Sequence, residues 1–168
     1  MTAVWLLLLV LLVGCASRPL PESSATGTNR AFVHTLLVAA SPEAVWQIWT
    51  DVDGWPRWDT ELREARIDGD FAEGTRGRLQ PISGPSASFE ITDLDPGHSY
   101  TIRTRLPMAG LYVRRSWAPA GEGSIAITHE VWFGGLLAGL FASRLGPTFW
   151  QALPGVMERV RRLAEAAP

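Results

Sequence analysis

The sequence predicts an α+β domain in which a curved antiparallel sheet of seven strands wraps one long C-terminal helix, with two short helices after the first strand. Three observations lead there. From Leu62 onward, apolar and polar residues alternate in short runs interrupted by turn signals about every ten residues, the pattern of strands joined in series. Before that series, Ser41-Pro42 opens a short helical stretch. The chain then closes on an apolar stripe at helical spacing, Leu145, Phe149, Leu153, Val156, Val160 and Leu163.

In order, Phe32 to Ala39 reads as the first strand, with Phe32, His34, Leu36 and Val38 on one side. Ser41 is the N-cap of the first short helix and Pro42 sits in its first turn, while Val45, Ile48 and Trp49 form its apolar face. Asp51 to Gly54 ends it, and Trp55 to Asp59 makes a second turn with two Trp three residues apart on one side. Strands follow over Leu62–Ile67, Gly74–Gln80, the run of Ala87, Phe89 and Ile91, the run from Tyr100 to Leu106, and Leu111–Trp117. The last strand, Ser124 to Phe133, puts Ile125, Ile127, His129, Val131 and Phe133 on one face. Clean alternation means one covered face and one wet face, and Arg76, Arg78, Arg103 and Arg105 suit the wet one. Pro147, after Gly146, is expected to start the long helix. Pro154 removes a backbone hydrogen bond to Trp150 and is expected to bend it, shaping a cavity between Phe149 and Val156. One helix over a curved sheet leaves room between them.

Composition narrows the function. Net charge is −2, and all 15 basic residues are arginine, with no basic run beyond Arg159 to Arg162 at a helix end. Nucleic acid is therefore not an expected partner. Cys15 is the single cysteine, which rules out an intramolecular disulfide and a cysteine-based metal site. No phosphate loop, dinucleotide fingerprint or nucleophile-and-base pair is present, so neither cofactor nor metal is expected. Glu90 and Glu130 face away from the apolar set. His98 follows a Pro-Gly turn and reads as solvated, and His34 has no visible partner. His129 points inward. It is either a satisfied core residue or, as the one catalytic candidate, a general acid or base needing a carboxylate or hydroxyl within reach. Trp46, Trp49, Trp55 and Trp58 either pack the short helices onto the sheet or, for Trp55 and Trp58, line a cavity mouth.

Ala3 to Val13 is an unbroken apolar run, too short to span a bilayer as a helix but of signal-peptide length. With Leu12-Val13-Gly14-Cys15 it resembles a bacterial lipoprotein signal, although no Lys or Arg precedes the run; the other reading is a buried or membrane-lying helix with an incidental cysteine. The resemblance implies a signal peptide over 1–15, acylation of Cys15, and anchoring in the cell envelope by more than one chain. In a Gram-negative host, Ala16-Ser17 implies the periplasmic face of the outer membrane. Residues 16–30, rich in Ser, Pro, Thr and Gly, read as a flexible tether, and residues 31–168 as the folded domain.

The string SPEAVWQIWTDVDGWPRWD, then Asp68-Gly69-Asp70-Phe71-Ala72-Glu73-Gly74-Thr75, then Ile127-Thr128-His129-Glu130-Val131, resembles the START-like, Bet v 1-like (SRPBCC) superfamily, in its polyketide cyclase/dehydrase-related bacterial branch. The likeness covers about residues 31–166 and implies the helix-grip fold and an internal cavity for a small hydrophobic molecule, lipid or polyketide-like. Ligand contacts are expected from Trp55, Trp58, Phe89, Tyr100, Ile102, Ile127, His129, Val131, Phe149 and Leu153. The alternative is a cyclase or dehydratase working through His129, and a third reading is an adaptor with an exposed Trp face. The oligomeric state is left open by the sequence.

Overall fold

The computed structural model describes residues 23–27 and 31–167, so the apolar run and Cys15 lie outside the described residues. The elements run β1 (Ser23–Gly27), β2 (Ala31–Val38), α1 (Pro42–Thr50), a 3-10 helix (Val52–Arg57), β3 (Leu62–Ile67), β4 (Arg76–Pro81), β5 (Ala87–Asp95), β6 (Ser99–Leu106), β7 (Ala109–Gly121), β8 (Ser124–Gly135) and α2 (Ala138–Glu165). The strands form one sheet in the order β1-β2-β8-β7-β6-β5-β4-β3, antiparallel throughout, and the long helix lies against β2 and β8. This is the predicted helix-grip architecture.

Two expectations are corrected. The stretch 16–30 is not tether throughout, because residues 23–27 form β1, with Ser23 opposite Leu36 and Gly27 opposite Phe32. Its sequence, SSATG, has no apolar alternation; what places it is backbone pairing along the otherwise open edge of β2. The long helix does not start at Pro147. It starts at Ala138, and both Pro147 and Pro154 lie inside it. Its buried positions begin with Ala138, Ala142 and Gly146 and continue through Leu153, Val156, Met157, Val160 and Ala164. The first two turns thus pack on small residues, so a stripe read from large ones begins too late. Leu145 is exposed, and Phe149 and Leu163 are half-buried. Gly146 is small for a reason: a Cβ there would stand 2.5 Å from the Phe32 ring.

The cap at Ser41 forms as expected, its hydroxyl accepting from Ala44 N at 3.2 Å. Of the arginines assigned to the wet face, Arg76, Arg78 and Arg105 are exposed, and Arg76 and Arg105 flank Glu90 at 3.4 and 3.2 Å. Arg103 is half-buried over the Tyr112 ring, which itself stacks on Trp132 at 5.2 Å.

The apolar interior is divided in two. The larger cluster joins Trp49, Trp55, Trp58, Phe89, Tyr100, Ile102 and Ile127 to Val156, Met157, Val160 and Ala164 of α2. The smaller joins Phe133 to Ala138 and Ala142, with Phe32, Leu106, Leu111, Phe141 and Phe149 around it. Val131 and Leu153 are both buried yet belong to neither.

Candidate functional site

The helix-facing side of the sheet carries a row of polar side chains where apolar ones would be expected. Strand register sets His34 of β2 opposite His129 of β8, His129 opposite Arg115 of β7, and Arg115 opposite Tyr100 of β6. All four are buried. Residues directly opposite on one sheet face have Cβ atoms about 5 Å apart, so the row is continuous. On β8 it lies between Ile127 of the larger cluster and Val131, and at Tyr100 it enters the larger cluster itself.

Arg115 is the centre of this row. Its guanidinium lies 4.9 Å from the Trp55 ring, 4.8 Å from Trp58 and 5.4 Å from Tyr100. Its Nε–H donates to His129 Nε2 and an Nη1–H donates to the Tyr100 hydroxyl. Tyr100 Oη in turn donates to the Trp49 carbonyl at 3.3 Å, and Trp55 Nε1 donates to the same carbonyl at 2.9 Å. The 3-10 helix after α1 brings Trp55 and Trp58 into place, held at its start by Asp51, whose carboxylate accepts from Gly54 N. Phe89 stacks beneath Trp55 at 5.5 Å, and Trp46, Trp49 and Phe71 pack edge-on against Tyr100. The tryptophans therefore do pack the short helices onto the sheet, and Trp55 and Trp58 pack around a cation.

The electrostatics follow from burial. His129 is held well below the ordinary histidine range by burial first, then by Arg115 and His34. His34 is lowered by burial. Burial also raises the Tyr100 hydroxyl, against the opposing pull of Arg115. Asp59, partly open to solvent yet set deep among side chains, is raised by burial despite Arg115 nearby. Among the described residues no carboxylate lies within ion-pair distance of Arg115.

A pH prediction comes from the depressed histidine. A histidine whose folded pKa lies below its unfolded value of 6.5 binds more protons when unfolded, so stability is lost as pH falls below about 6.5 and levels off beneath the folded pKa. The urea midpoint should fall between pH 7.5 and pH 5.5, and should fall less in His129→Gln, whose amide oxygen still accepts from Arg115. Asp59, being raised, contributes with the opposite sign, which makes the wild-type-minus-variant difference the quantity to measure. An identical decline in the two proteins would show that His129 is not the group responsible.

Of the expected ligand contacts, Trp55, Trp58, Phe89, Tyr100, Ile102, Ile127, His129, Val131 and Leu153 are buried on the helix-facing side, and Phe149 is half-buried in the smaller cluster against Phe133 at 6.2 Å. A groove of about 410 Å³ opens between α1, the 3-10 helix and the end of α2, lined by Ile48, Asp51, Gly54, Arg57 and Leu163 among others. Trp58 is the one expected contact that reaches it. That ring is at once a wall of the groove and a face of the Arg115 site. As a catalytic candidate, His129 has a cation on its Nε2 where general acid–base chemistry asks for a carboxylate or hydroxyl. His98 is exposed and bonded to Asp95 at 3.1 Å, away from the row.

Sequence reasoning passed over Arg115. The signal was present, since Leu111, Val113, Arg115 and Trp117 alternate on the covered face and Arg114 falls on the other. Two adjacent arginines read as surface residues unless the period is counted through them.

Comparison with solved structures places the fold. A protein from Mesorhizobium loti superposes with a TM-score of 0.66 at 17% identity, covering 83% of this chain and 99% of its own. Norcoclaurine synthase from Thalictrum flavum, solved with dopamine and hydroxybenzaldehyde, gives 0.63 at 15% identity over 88% of this chain and 91% of its own. A hypothetical protein from Helicobacter pylori gives 0.66 at 10% identity over 82% and 89%. At such identities the likeness is one of fold. No curated protein matches the chain. The family model described as polyketide cyclase / dehydrase and lipid transport matches residues 30–167, nearly the whole described domain, and the chain belongs to that family.

Proposed function

We propose that the protein binds a small hydrophobic molecule, lipid or polyketide-like, between the helix-facing side of the sheet and α2, while tethered to an envelope membrane through acylated Cys15. The observation that carries the binding reading is the divided interior: two apolar clusters with His129, Val131 and Leu153 between them. A domain that only needed stability would gain from one continuous core, at about 25 cal/mol for each Å² of apolar surface buried. Family membership supports the same reading.

The binding half is tested with Nile red, a neutral apolar dye. The full chain should bind it saturably, and Val131→Trp, which sets a much larger side chain between the clusters, should abolish binding while thermal unfolding stays cooperative. Equal dye binding by both proteins would remove the site from this place. The tether half is tested by Cys15→Ala. Wild-type protein should pellet with membranes and the variant should not. Among the described residues no helix is long and apolar enough to cross a membrane. A variant that still pellets overturns the anchor.

A further inference from the structure

Beside Arg115, several buried side chains carry donors without an acceptor. Arg115 Nε and Nη1 are engaged with His129 and Tyr100, and the guanidinium has no ion-pair partner among the described residues. His129 accepts from Arg115 at Nε2, so its proton sits on Nδ1, and that buried Nδ1–H finds no acceptor among the described residues. Trp58 Nε1–H and Trp49 Nε1–H are also buried and unpartnered. Trp58 and His129 rings lie 6.3 Å apart, and Trp58 stacks on the guanidinium.

Buried polar groups are nearly always paired, and a buried charge without a counter-ion is costly. Aromatic faces offset part of the cost, as three rings do here. They supply no acceptor for the idle N–H groups. Asp59 is the acid nearest by its electrostatic effect, yet it makes no ion pair with Arg115, and its carboxylate oxygen accepts from Glu61 N at 3.2 Å. Buried unpartnered donors beside a cation that makes no ion pair among the described residues match an anion with oxygen acceptors.

We propose that Arg115, with His129 and Trp58, receives the carboxylate head of an amphipathic ligand whose apolar tail lies towards Val131 and Leu153. This rests on the binding function proposed above and narrows it from hydrophobic molecules in general to apolar acids. Trp58 borders the groove beside α1 and covers one face of the guanidinium, and its indole N–H has no partner among the described residues.

The test compares decanoate with decanol, equal in tail length and different in charge, by isothermal titration of the full chain. Wild-type protein should bind decanoate at least about tenfold more tightly, the difference a charge-assisted pair provides. Arg115→Met should bring the two affinities together, and Arg115→Lys should keep part of the preference. Equal affinity of the two probes for wild type, or an undiminished preference in Arg115→Met, overturns the carboxylate assignment and leaves the binding function standing. No uptake of either probe by wild type overturns both. Should Arg115→Met fail to fold, the wild-type comparison decides alone.

Discussion

Trp55→Ala should lower the stability of the domain by about 3–5 kcal/mol, the range for removing a buried Trp side chain. Trp55 is 1% exposed and does several things at once. Its ring stacks on Phe89, tilts against Trp58 and covers one face of Arg115, and its Nε1–H satisfies the Trp49 carbonyl. The truncation therefore opens a cavity and also admits water to a buried guanidinium. Trp55→Phe keeps most of the packing but drops the Nε1–H, and its loss should be clearly smaller. Urea unfolding followed by circular dichroism measures both. A loss under about 1 kcal/mol for Trp55→Ala would mean that Arg115 is not held by this ring.

Gly77→Ala should cost about 1–3 kcal/mol, although it adds a single methyl group. Gly77 lies in β4 opposite Phe89 of β5, and the Phe89 ring folds across it. An added Cβ would stand 2.3 Å from the Arg66 carbonyl oxygen and 2.4 Å from the Phe89 ring. The carbonyl belongs to the neighbouring strand and cannot turn aside, so either β3 or the ring must shift. The ring is stacked on Trp55, which carries the disturbance to the guanidinium. Thermal denaturation should show a lower midpoint with the transition still cooperative. An unchanged midpoint would show that β3 and β4 can separate freely.

Much of the fold was legible because its signals are local. Alternation along Tyr100 to Leu106 and along Ser124 to Phe133 placed β6 and β8 with the correct faces covered, and Ser41-Pro42 marked α1. Legibility failed where the determinant is not a large side chain. The start of α2 packs on Ala138, Ala142 and Gly146, which a search for big apolar residues skips. β1 has no apolar face in its sequence and exists as an edge partner to β2. The site was half legible. His129 and the tryptophans were found by residue type and facing, but their common partner was not. Nothing in a sequence announces that Tyr100, Arg115, His129 and His34 share one register line, since that depends on four strands aligning across the sheet.

The central claim is that the space between sheet and helix holds a small molecule. The most direct measurement is native mass spectrometry of the full chain purified from its own host. The expected spectrum shows the protein carrying one non-covalent small molecule that organic solvent releases. A bare polypeptide mass that stays bare after incubation with decanoate and with decanol would contradict the account.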